Sequence, residues 1–294
     1  TFVGAETAAN VTTGADNVMM GKAAGVTTLT SSGSVFIGRS AGNAVTTGNQ
    51  NIAIGKDAMA GAATTGDRNI VIGREAGRLL TSGHSNVLIG DEAATNITTA
   101  RENVVIGKGA YANANTSENF AVVVGYNAAN NVDGIDNVVA IGHSALSTMV
   151  AVDGNTAVGF EAGKVTTGAN NTYLGFKAGK GASGAEGGNT GVGSRALESV
   201  TTGGSNVVVG NQAGDTITDG GENVIVGDGA GQTTTSVAQA VIVGRGAAQN
   251  GNITTGANGT VAVGYKALEA LTSGGRNTAI GYEALSTATA LTHN

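Results

Sequence analysis

The chain has 294 residues, of which 50 are Gly and none is Pro, Cys or Trp; aromatics make up 3% and charged residues 12%. Without Cys there is no disulfide framework, thiolate metal site or Cys nucleophile. The net charge of −6, with both signs mixed along the chain, argues against nucleic-acid binding, and no apolar run approaches the roughly 18 residues of a membrane span. The first residues, Thr1-Phe2-Val3-Gly4, carry no signal peptide or initiator Met, so a processed chain or a piece of a longer one is expected.

From Gly4 to Gly281 the motif Val/Ile-x-Ile/Val-Gly-x-x-Ala recurs seventeen times, with steps of 16 to 20 residues and 17 the commonest. If that Gly is position 0, Asn fills position −4 in eleven units: Asn17, Asn51, Asn69, Asn86, Asn103, Asn155, Asn171, Asn189, Asn206, Asn223 and Asn277. Positions −3 to −1 are a short β-branched run, Ala holds +3 from Ala24 to Ala284, and many units close on Thr-Thr-Gly or Thr-Ser-Gly. The 18- and 20-residue units place their extra residues near that closing turn, where insertion costs least.

The run between Asn and Gly predicts a strand of about four residues. Gly and Val recur too densely for a helix, and 17 residues are too few for a propeller blade or a helix pair. The fold class expected is all-β: one parallel β-solenoid over residues 1–294, with seventeen coils. At about 4.8 Å per coil, the rod would be roughly 80 Å long. Gly at position 0 predicts a corner with positive φ. Ala at +3 predicts a crowded inward position, and the Asn column predicts an amide ladder between coils.

Strand side chains alternate between faces, so −3 and −1 share one face and −2 takes the other. Position −2 is apolar as well, from Phe2 and Met19 to Ala262 and Ala279. Both faces therefore call for burial, and the −2 column is expected to meet another copy of the chain. No polar capping repeat is evident at either end, which predicts joints to other modules of a longer fibre.

Asn51-Ile52-Ala53-Ile54-Gly55-Lys56-Asp57-Ala58 and Asn277-Thr278-Ala279-Ile280-Gly281-Tyr282-Glu283-Ala284-Leu285 resemble two kinds of repeat over essentially the whole chain. One is the head of trimeric autotransporter adhesins, whose unit is shorter; the other is the repeat array of phage tail fibres, whose Thr-Thr-Gly turns and period match better. The resemblance implies a left-handed β-roll, a homotrimer and an extracellular location on a virion or a bacterial surface. It implies the shaft of a tail fibre with a host-binding tip, or alternatively an adhesin head that itself binds matrix or cell-surface receptors.

No catalytic set is evident. His84, His143 and His293 fall on separate units, without a Ser/His/Asp grouping or metal-ligand spacing. Gly227–Gly231 lacks the Lys and helix of a phosphate loop, and Asp219-Gly220-Gly221-Glu222-Asn223 is not repeated as calcium-binding glycine repeats would be. No enzyme, cofactor or metal is expected. Position +1 is the variable column, with Lys22, Arg39, Lys56 and Arg74 early and Tyr126, Phe160, Phe176, Tyr265 and Tyr282 later. Such a rim suits host glycans, through ring stacking or cation contacts, or a subunit seam in which its side chains meet acids of the next chain. Thr-Thr pairs raise a third reading, an ice-binding solenoid, although their column is interrupted at Ala100, Ser117 and Val237.

Overall fold

The computed structural model describes residues 1–114, 117, 119–133, 136–150, 153–181, 187–251 and 253–291. The chain is an all-β parallel solenoid with 17 residues per coil, and it divides into two compact units, Thr1–Ala151 and Val152–Asn294. In the first unit a parallel ladder runs from Phe2–Val3 through Val18–Met20 and Val104–Ile106 to Val122–Val124 and Val139–Ile141. In the second it runs from Thr156–Val158 through Val224–Val226 to Thr278–Ile280. Each strand pairs with the same three positions of the next coil, so identical positions form columns. A second, two-stranded parallel pairing joins Asn131–Asp133 to Thr148–Val150. The 20-residue unit places a short 3-10 turn, Thr255–Ala257, in its extra length.

The corner glycines adopt φ between 128° and 145°, a region open to Gly alone. A second constraint is stacking. A Cβ on Gly73 would lie 2.1 Å from the carbonyl oxygen of Gly90, and one on Gly159 2.2 Å from that of Gly175. Three further positions per coil, −5, +2 and +4, have positive φ near 45–60° with ordinary side chains, as at Gln50, Asp57 and Met59. No Val, Ile or Thr occupies any of them, as the crowding of a branched Cβ in that region requires.

The interior reverses one expectation. The −2 side chains point into the coil: Met19, Phe36, Leu88, Tyr173 and Ile242 are all fully buried within their own chain. The −2 column is therefore the core, and the face left outside is the −3/−1 pair. The reason is volume. In some coils a large −2 side chain meets Gly at +4, as in Phe36/Gly42 and Tyr173/Gly179; an added Cβ on Gly42 would sit 2.5 Å from the Phe36 ring. In others a small −2 meets a large +4: Ala53/Met59, Ala140/Leu146, Gly191/Leu197 and Ala262/Leu268, each of these +4 side chains fully buried. In these coils the two positions share one core cell, whereas Ala157/Gly163 and Val105/Tyr111 do not follow the exchange. The Ala at +3, such as Ala41, Ala76 and Ala213, is buried beside them.

Candidate functional site

The eleven Asn residues lie in buried columns, all but Asn17 at 0–1% exposure. At position −4 the chain turns inward and the backbone N–H loses the strand ladder, so the amide of the preceding coil replaces it. Asn51 Oδ1 accepts the N–H of Asn69 at 2.9 Å, Asn69 that of Asn86 at 3.1 Å and Asn86 that of Asn103 at 3.1 Å. In the second unit Asn155, Asn171, Asn189 and Asn206 serve the next Asn in the same way at 2.9–3.1 Å. The Nδ2 group donates to the carbonyl of a closing-turn residue, as Asn189 does to Gly203 and Asn206 to Gly220, both at 2.9 Å. Asn17 donates to Ser31 O, and Asn277 to Gly274 O and Leu291 O. Asn223 donates to Val237 O at 2.7 Å, and its Oδ1 accepts the N–H of Ala240. This column is a structural device that gives buried backbone donors of the next coil an acceptor.

Sequence reading missed a second ladder, two residues earlier. At position −6, Ser32 Oγ accepts the N–H of Ala15, Asn49 Oδ1 that of Ser32, and Asp67 Oδ1 that of Asn49 at 2.6 Å. Asn119 and Asp136 repeat the pattern for Arg101 and Asn119, and Asn258 does so for Ala238. The available signal was a short acceptor side chain two residues before the −4 position. Ser32, Asn49 and Asp67 line an open polar groove of about 630 Å³ with Asp16, Gln50 and Arg68.

The candidate rim at +1 is exposed, and the structure fills it in two ways. From Arg39 to Lys108 it is ionic. Arg39 and Lys56 both reach Asp57, and Arg74 meets Glu92 at 2.6 Å, Asp91 at 2.8 Å and Glu75 at 3.0 Å. Hydrogen bonds donated to Glu92 and then to Asp91 hold the Arg74 guanidinium still more firmly protonated than usual. The acids expected across a subunit seam are thus met within the chain, on the same or the adjacent coil. Elsewhere the rim is aromatic. Tyr126 stacks on His143 at 5.1 Å, Phe160 on Phe176 at 5.4 Å and Tyr265 on Tyr282 at 5.1 Å, all within 28° of parallel. Lys177 lies over Phe176 and Lys266 over Tyr265. The hollow beside Tyr265, lined by Asp228, Arg245, Gly246, Gln249 and Lys266, holds about 70 Å³; small-molecule sites run to roughly 300–1,000 Å³.

The closing-turn threonines are engaged inside the chain. The hydroxyls of Thr46, Thr81, Thr201 and Thr272 donate to the carbonyls of Thr64, Thr98, Thr218 and Thr289 in the following coil at 2.7–3.2 Å. One hydroxyl of each such pair is therefore already committed, which removes much of the motive for an ice-binding Thr face. His84 sits in the −6 column, His143 on the rim, and His293 lies outside the described residues. Among the described residues, no three of His, Asp or Glu gather closely enough to hold a metal ion, and no helix is long and apolar enough to cross a membrane. No family model matches the chain, and no curated protein matches it.

Proposed function

We propose that the chain is a structural and adhesive element: the shaft of an extracellular fibre, working as a homotrimer and projecting a host-binding end from a virion. One observation carries this reading. The described coils repeat the same backbone ladder, Gly corner and buried interior, while the outer −6 and +1 columns change residue type from coil to coil. Such a design adds length and buried area with each repeat and needs no new contact type. Three copies would multiply weak contacts at a tip into useful avidity. The test is immunogold electron microscopy with antibody to this chain on the source particles or cells. Label along projecting fibres supports the reading; label confined to the cell interior refutes it.

A bacterial adhesin head is the second reading, and the three stacked ring pairs favour it. In that case the rim itself would bind cell-surface glycans. Glycan-array binding by the chain, lost in the double variant Tyr265→Ala/Tyr282→Ala, would support it. Binding that is absent, or unchanged in the variant, would sink it.

A further inference from the structure

With −2 turned inward, the strands' outward face holds only apolar side chains and threonine. From Val18 to Ile280 the −3 and −1 columns contain Val, Ile, Leu, Met and Thr and no charged residue. In the second unit the columns run from Thr156 and Val158 to Thr278 and Ile280, with Leu174 47%, Val209 37% and Val224 40% exposed. The other outward columns carry charges, amides or rings.

We infer that this −3/−1 face is the surface through which one copy of the chain packs against another. The inference rests on the fibre reading for the number of copies but not for the face. The first argument is area. At about 30–40 Å² of exposed side chain apiece, the sixteen positions of the second unit present roughly 500–600 Å² of apolar surface. That is the upper end of what an ordinary monomer leaves bare, about 300–600 Å². With polar flanks added, it approaches the roughly 800 Å² that each partner gives a stable interface. The first unit offers as many positions again.

The second argument is spacing. The face rises by one side-chain row per coil, at the interstrand distance of about 4.8 Å. A partner must share that repeat to interdigitate over many rows, and a second copy does so by construction. The third is the lack of guards: natural sheets blunt apolar faces meant for solvent with Lys or other charges, and none is present here. The closed coil has no lateral strand edge to pair, so contact must be face to face, as between the layers of a sandwich.

The test is the native mass by sedimentation and light scattering at about 10 μM. The wild-type chain of 28.5 kDa should run as a multimer. The triple variant Val209→Lys/Val226→Lys/Val243→Lys should fall to the monomer mass with an unchanged far-ultraviolet dichroism spectrum. Should the lysine variant fail to fold, Val209→Thr/Val226→Thr/Val243→Thr keeps the β-branching and should weaken association at least tenfold. Tyr265→Ala/Tyr282→Ala, on the rim, should leave the mass unchanged. A wild-type monomer overturns the proposal, and ice shaping by that monomer would assign the face to an ice lattice instead. Folded face variants that keep the wild-type mass overturn it too. Neither result bears on where the chain is found, which immunogold labelling decides separately.

Discussion

The two units follow one backbone path and finish its surface differently. In the first unit Ser32, Asn49, Asp67, Asn119 and Asp136 each close the turn before their own strand with an acceptor side chain that serves the preceding coil. In the second unit Asn258 does the same for Ala238, but three successive coils have Gly187, Gly204 and Gly221 at that position, where a Cβ on Gly204 would lie 2.9 Å from the Gly187 oxygen. Yet the neighbouring backbone bond is identical: Gln50 N donates to Ser32 O at 2.9 Å, as Ser205 N does to Gly187 O at 2.9 Å. The rim varies within both units, ionic from Arg39 to Lys108 and again at Arg245–Asp228, and aromatic at Tyr126/His143, Phe160/Phe176 and Tyr265/Tyr282. The interior columns set the path, and the outer columns vary without disturbing it.

That comparison is open to direct attack, most severely at the corners. Gly90→Ala and Gly210→Ala each place a Cβ 2.3–2.4 Å from the next coil's carbonyl oxygen at φ of 140° and 145°. Each should cost about 3 kcal/mol or more, read as a fall in the denaturation midpoint. A large loss in one unit and none in the other would break the shared path. Next come Asn86→Ala and Asn206→Ala, which delete buried amides serving two backbone groups. About 2–3 kcal/mol is expected from each, in either unit, by urea titration.

The outer columns should respond more weakly and only where they are used. Asn119→Ala removes the acceptor of the Arg101 N–H and should cost about 1 kcal/mol; an unchanged midpoint would show that water replaces it. Arg74→Gln should lower the midpoint slightly and not at all at 1 M salt, because salt screens an ion cluster at the surface. The smallest effect concerns Asp215, whose carboxyl is pushed up first by burial and then by the nearby Glu198 charge. An acid with a raised folded-state pKa favours the fold while protonated and disfavours it once pH rises through that value. Asp215→Asn should therefore stabilise slightly at pH 7, with the gain vanishing below the ordinary Asp range near pH 3.9. A gain that persists at pH 3 would refute that cause.

Much of the candidate site was legible because its residues are monotonous. Asn at −4 recurs at one spacing and has one task, so the column could be read before any coordinates. The −6 ladder was hidden because Ser32, Asn49 and Asp67 share an acceptor atom but not a residue type. The aromatic rim was visible as a column, whereas its pairing into stacks depends on which coils happen to be neighbours.

The sequence by itself determined the period, the strand positions, the glycine corners and the buried Ala at +3. Each follows from a local constraint repeated every 17 residues: a φ only Gly adopts, a branched run that favours extension, a cell with room for one methyl. Which strand face turns inward was decided only by tertiary structure. In a three-residue strand apolar on both sides, alternation carries no direction, so hydrophobicity cannot orient it. The coil had to close before Phe36 could meet Gly42 and Ala53 could meet Met59. Closure of the coil put the −2 column inside and left the Val and Ile rows of −3 and −1 as the outer face.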